Sequence, residues 1–195
     1  MTDAIEIKPG PGRPRSAETH RAILAAVGAM LMKSGYPNLS IEAVAAKAGV
    51  GKQTIYRWWP AKADLVMEYL LGMSAQMPRP DTGSLIEDLR IFLLASVEGW
   101  TIGKLGPVVT ALMAEAQSDR RFGDLFFRNL ISVRRAALKE ILARGQARRE
   151  LAAGRDLELL ADLIYGPLWY RLLLKHAPLD AAFIDDLLRE LRLGM

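Results

Sequence analysis

Between Lys52 and Arg57 the sequence crowds Lys52, Gln53, Thr54, Tyr56 and Arg57 into fewer than two helical turns. Their chemistry suits the edge of a nucleic acid. Lys and Arg reach phosphates or guanine, Gln pairs with adenine, the Thr methyl meets the thymine methyl, and a Tyr hydroxyl holds a phosphate. A helix carrying such a set can enter a DNA groove, provided that its other side is anchored. Ile55 and Trp59 supply that inward side, and for Trp58 and Trp59 packing is the first reading ahead of base stacking.

The flanking residues predict how this segment is positioned. Ser40 is an N-cap for a short helix, Ile41 to Ala48, whose inner face is Ile41, Val44 and Ala45. Gly49-Val50-Gly51 then turns the chain, with a glycine able to take the left-handed conformation and Val50 plugging the angle. Two short helices about such a turn have the size of a helix-turn-helix. The recognition segment is expected to run Lys52 to Trp59 and stop at Pro60, and another helix starts near Lys62. Upstream, Ser16 caps a helix striped by Ile23, Ala26, Val27, Met30 and Leu31 and closed by Ser34-Gly35.

Apolar residues recur at spacings of three and four elsewhere too, so the chain reads as all-α with about nine helices. The Pro- and Gly-rich stretch Met77 to Gly83 marks the domain joint. Four boundaries follow: an arm over 1–15, a helix-turn-helix domain with its connecting helix over 16–76, a linker over 77–83, and a helical body over 84–195. In the body, Ser84 opens a helix, Pro107 opens the next, Asp119 begins a long one reaching roughly Arg144, and Asp156 to Lys175 and Asp180 to Leu193 make two more.

Charge separates the same two parts. Of 26 Lys and Arg against 22 Asp and Glu, residues 1–60 hold 8 basic and 4 acidic side chains, so the net +4 lies wholly in the first third. This implies a polyanion-binding module on a neutral body, or else a merely solvated basic face. The chain has no Cys and only His20 and His176, which removes thiol chemistry, disulfides and a histidine-rich metal site. No apolar run approaches the roughly 18 residues that cross a bilayer, and the first ten residues lack the pattern of a secretory signal. A cytoplasmic protein without a membrane partner or a cofactor is the expectation. Gly99 to Leu105 imitates a phosphate loop, but its glycines are one residue too close and Leu105 replaces the magnesium-binding hydroxyl. With no catalytic motif besides, an enzyme is not expected.

The run Gly51-Lys52-Gln53-Thr54-Ile55-Tyr56-Arg57-Trp58-Trp59-Pro60-Ala61-Lys62-Ala63-Asp64-Leu65 resembles the signature of TetR-family transcriptional regulators, and the likeness extends over about residues 16–70. Carried over by position, it implies DNA contacts at Thr54, Tyr56, Arg57 and Trp58, with Lys52 and Gln53 at the helix start. It also implies a backbone phosphate on Lys62 and another at the helix capped by Ser40. Two positions depart from the family pattern: Ala61 replaces a capping Ser or Asn, and Glu42 replaces a basic contact used by some members. Gly12-Arg13-Pro14-Arg15 resembles an AT-hook core, so Arg13 and Arg15 are expected in a minor groove.

The body resembles a C-terminal subtype of the same family, which implies dimerisation and a small-molecule effector. The apolar residues of its last two helices exceed one inward stripe. Leu160, Leu163, Leu168 and Leu172, with Ile184, Leu187, Leu188 and Leu191, are therefore expected in a homodimer interface of four helices; the alternative is a thick monomer core. An effector pocket is expected among Trp100, Met113, Gln117, Phe126, Phe127, Tyr165 and Trp169, with Glu115 and His176 as polar partners, although core packing explains each residue singly. Together these point to a dimeric, ligand-released repressor of a palindromic double-stranded DNA operator. The alternative is a constitutive DNA-binding dimer with a structural role and no effector.

Overall fold

The structure, a computed structural model, describes residues 16–191; Arg13 and Arg15 lie outside them. The order is α1 (Ala17–Ser34), α2 (Ile41–Ala48), α3 (Lys52–Trp58), α4 (Lys62–Ser74), α5 (Leu85–Thr101), α6 (Gly106–Ser118), α7 (Arg120–Phe126), a π turn (Phe127–Ile131), α8 (Ser132–Ala147), α9 (Leu157–Leu174) and α10 (Ala181–Glu190). As α7, the π turn and α8 are contiguous, the described residues make nine rods and no strand.

Local chemistry sets the helix ends. Ser16, Ser40 and Ser84 accept from the backbone N–H three residues on, at 3.4, 3.2 and 3.4 Å, each covering an otherwise unpaired donor. The recognition helix ends one residue earlier than expected. Trp59 is extended (φ −132°, ψ 109°) because the ring of Pro60 disfavours a helical residue before it. At α4, Ala61 offers no capping oxygen, and Asp64 takes over part of the task by accepting from the Ala61 N–H at 3.0 Å. The buried Asp64 carboxylate is answered in turn by Arg121 of α7, at 2.8 and 3.0 Å.

The hydrophobic core has two parts, and their division does not follow the order of the chain. The first joins α1–α4 to Val108, Val109 and Leu112 of α6 and to Phe122 and Phe126 of α7. The second is built by α5, α8, α9 and α10 around Leu89, Phe92, Leu138, Ile164 and Ile184. Helices α6 and α7, which follow the Pro-rich stretch, therefore pack with the reading head. That stretch is itself tied down. The buried Asp88 accepts from the Thr82 N–H (2.7 Å) and hydroxyl (2.8 Å), and Arg144 donates to the Pro80 carbonyl at 2.6 Å. Burial would raise the Asp88 pKa, but the Thr82 hydrogen bonds with Arg144 and Arg148 outweigh it and hold the carboxyl below its ordinary value.

The expected interface residues require a correction. Leu160, Leu168, Leu172, Ile184 and Leu188 are buried within the protomer, while Leu187 and Leu191 are half-buried against the second core. Of the eight, Leu163 alone is exposed, and the apolar surplus of α9 lies instead on Leu159, Leu163, Tyr170, Leu173 and Leu174. The count of apolar residues showed an excess without showing which arc of α9 the protomer covers.

Candidate nucleic-acid interface and effector cavity

Helices α2 and α3 meet about Gly49, which is left-handed (φ 67°, ψ 32°) and whose N–H reaches the carbonyl of Ala46. Val50 donates to the Ala45 carbonyl at 3.0 Å, which closes the turn. A Cβ at position 49 would meet nothing within 4 Å, so glycine is required here by its φ and not by space. Gly49→Ala is accordingly expected to destabilise the protein by about 1–2 kcal/mol, read as a lowered midpoint in chemical denaturation; an unshifted midpoint would mean that the turn relaxes into another conformation at no cost.

Across α3 the faces separate as its sequence requires. Ile55 is fully buried and Trp59 nearly so, while Lys52, Gln53, Tyr56 and Arg57 are exposed and Thr54 and Trp58 are half-buried. The Trp58 ring stands edge-on to Trp59 at 5.5 Å. Glu42 lies 3.8 Å from Lys52, an exposed pair of the kind that contributes little and that a phosphate can displace. Lys62, expected at a phosphate, donates to the Tyr36 carbonyl at 3.2 Å with its ammonium 4.2 Å from the Tyr36 ring centroid. Its stem is thereby held in one direction.

Contacts that the sequence reading missed hold this head together. Glu68 of α4 takes His20 of α1 on one carboxylate oxygen and the Trp59 indole N–H on the other, both at 2.5 Å. The His20 ring stacks on Trp59 at 5.6 Å. Tyr36 donates its hydroxyl to Glu115 of α6, a residue expected at the pocket. Burial first, and the Glu115 hydrogen bond and charge next, push the Tyr36 pKa up, which keeps the hydroxyl protonated as the donor. No signal of local spacing joins residues 79 positions apart.

The body holds a cavity of about 670 Å³, within the range of small-molecule sites. Of the expected lining residues, Trp100, Tyr165 and Trp169 are there, the two indoles 5.1 Å apart. Met113, Gln117, Phe126 and Phe127 are not. Phe126 is buried in the first core, Met113 packs half-buried against it, Gln117 is exposed near the end of α6, and Phe127 is exposed on the π turn. His176 is exposed beside the Tyr170 ring. The extra residue of a π turn rotates the face of the rod, so Leu130 and Ile131 line the cavity instead. Leu70, Met73, Ser74 and Met77, from α4 and the connector behind it, complete a wall that sequence reasoning did not assign. Among the described residues no cluster of His, Cys, Asp and Glu is arranged to hold a metal, and no helix is long and apolar enough to cross a membrane.

Known proteins match this arrangement along nearly the whole chain. The model described as "Bacterial regulatory proteins, tetR family" covers residues 23–69, and that described as "Tetracyclin repressor-like, C-terminal domain" covers residues 79–191. YdeS of Bacillus subtilis, an uncharacterised HTH-type transcriptional regulator, is 33% identical over 177 residues, spanning 90% of this chain and 89% of its own. The DNA-binding transcriptional repressor TetR of Mycobacteroides abscessus is 31% identical across 93% of this chain and 94% of its own. The crystal structure of the TetR family transcription regulator SCO0332 superposes with a TM-score of 0.77 at 30% identity, covering 91% of this chain and 98% of that one.

Proposed function

The chain belongs to the TetR family of DNA-binding transcriptional regulators and is not an enzyme, and from that premise we propose that it is a cytoplasmic, dimeric repressor released from a palindromic operator by a small molecule. One observation carries the ligand-responsive part. Helix α4 begins at Lys62, beside the reading helix, and its far end supplies Leu70, Met73 and Ser74 to the cavity wall. Those positions lie roughly 12–18 Å along one rod. A ligand that displaces the wall moves the rod that carries Lys62, and the bound state then differs from the free one in head geometry.

The dimer reading draws on the outer face of α9. Leu159, Leu163, Gly166, Tyr170 and Leu173 recur at steps of four and three, all exposed, and nothing lies within 4 Å of where a Gly166 Cβ would stand. That is the spacing of a helix seam, with a small residue at its middle where two helices related by a twofold axis can approach. Such a dimer would present two α3 helices to successive major grooves about 34–36 Å apart. In this proposal Ser40, Lys52, Gln53, Thr54, Tyr56, Arg57, Trp58 and Lys62 contact DNA, and Arg13 and Arg15 reach the minor groove.

The test is binding to the DNA upstream of the chain's own gene, against a scrambled duplex, across a salt series. A specific complex that weakens steeply with salt supports the reading; equal weak binding to both duplexes would point to a non-specific architectural role. Tyr56→Phe is expected to weaken the specific complex by about three- to tenfold, the worth of one hydrogen bond. Lys62→Ala is expected to flatten the slope of log affinity against log salt by about 0.9, the loss of one phosphate contact. An unchanged slope would mean that Lys62 serves only to brace Tyr36.

A further inference from the structure

Arg134 of α8 lies on the cavity wall, and its surroundings are neutral. One Nη2–H donates to the buried Ser96 hydroxyl at 2.7 Å, the guanidinium carbon stands 4.0 Å from the centre of the Phe92 ring, and the Tyr165 hydroxyl donates to the Arg134 carbonyl at 3.2 Å. Among the described residues no Asp or Glu pairs with it. Its neighbour is the contrast: Arg135, also on the wall, is taken by Glu158 at 2.8 Å and by Asp162. Glu98 is the remaining acid on the wall and is exposed, whereas Arg134 is desolvated enough for burial to pull its pKa down. A guanidinium stays charged nonetheless and has five N–H donors, more than the Ser96 and Tyr165 hydroxyls can take. Arg134 is half-buried, and even partial desolvation of a cation without a counter-charge is costly; the neutral Ser96, Phe92 and Tyr165 offset only part of that cost.

We propose that the cavity takes an amphipathic organic acid, its carboxylate on the guanidinium of Arg134 and its apolar frame against Trp100, Trp169, Met73 and Leu130. This deepens the reading of the cavity as an effector site and rests on it. The planar fork of Arg matches a carboxylate in two parallel hydrogen bonds, and the rest of the wall is mainly aliphatic and aromatic, so the anion and the frame are recognised by different parts of one chamber.

Two probes with the same frame isolate the charge: 1-pyrenebutyrate and 1-pyrenebutanol, titrated into the full-length protein by fluorescence. The acid is expected to bind about tenfold or more tightly than the alcohol, as for a hydrogen bond to a charged group. Arg134→Gln is expected to erase that preference, and Arg134→Lys to keep part of it. Equal affinities for the two probes in the unsubstituted protein, or a preference that survives in Arg134→Gln, would overturn the assignment while leaving the cavity a binding site. Binding of neither probe would overturn this assignment and the effector cavity together. If the acid is preferred through Arg134 yet leaves the operator complex intact, the ligand chemistry stands and the release mechanism fails.

Discussion

Substituting glutamate for both Leu163 and Leu173 is expected to leave a folded monomer that binds its operator at least about a hundredfold more weakly, since a linked second head raises overall affinity by 10²–10⁴. Both side chains are nearly half exposed, at 45% and 47%, so the protomer's own core does not depend on them. In a dimer joined along α9 each would be buried against its twofold mate, and four introduced carboxylates would face one another out of water. Light scattering on the eluting protein reads the mass, circular dichroism reads the fold, and anisotropy of a labelled operator reads the affinity. A dimer that survives both substitutions would move the interface off this face. Leu172→Glu is no equivalent test, because Leu172 is only 8% exposed and the charge would enter the core.

Phe122→Ala is expected to cost about 3–5 kcal/mol of folding stability, the range for removing a fully buried phenyl ring. The ring is 1% exposed and packs at 6.2 Å from Phe126, within the core that also contains Ile23, Val27, Ile55 and Leu65 of the reading head. Chemical denaturation at one fixed protein concentration measures the loss. The physical content is that the head borrows part of its core from α6 and α7. A loss below about 1 kcal/mol would mean that the head closes its core without them. The Asp64–Arg121 and Tyr36–Glu115 contacts cross the same junction, so the head is tied to α6 and α7 by polar contacts as well as by packing.

Much of the head was legible because its signals are local. Ser40 and Ser16 cap where expected, Gly49 is left-handed where a turn was needed, and the exposed and buried sides of α3 follow from Ile55 and Trp59. The body was legible as helices only. Phe126 and Phe127 both read as pocket aromatics, yet one lies in the core and the other in solvent across the start of the π turn. Leu160 and Leu163 both read as interface leucines, yet the first is buried in its own protomer. Arg134 passed unnoticed beside Arg135, because two adjacent arginines look alike until their neighbours on α5 and α9 are known.

The sequence by itself determined the helical class, the two short helices with the Ser40 cap and the Gly49 turn, the excess of positive charge in the first third of the chain, and the family. Each of these depends on spacing within a few residues, where period, φ preference and capping act. Only the tertiary structure decided which arc of α9 stays open, which aromatics border the cavity, that α6 and α7 complete the head, and which of the two guanidiniums on the cavity wall lacks a carboxylate. Those outcomes depend on which side chains from distant helices compete for the same space and the same partner, and the order of residues along one helix carries no record of that competition.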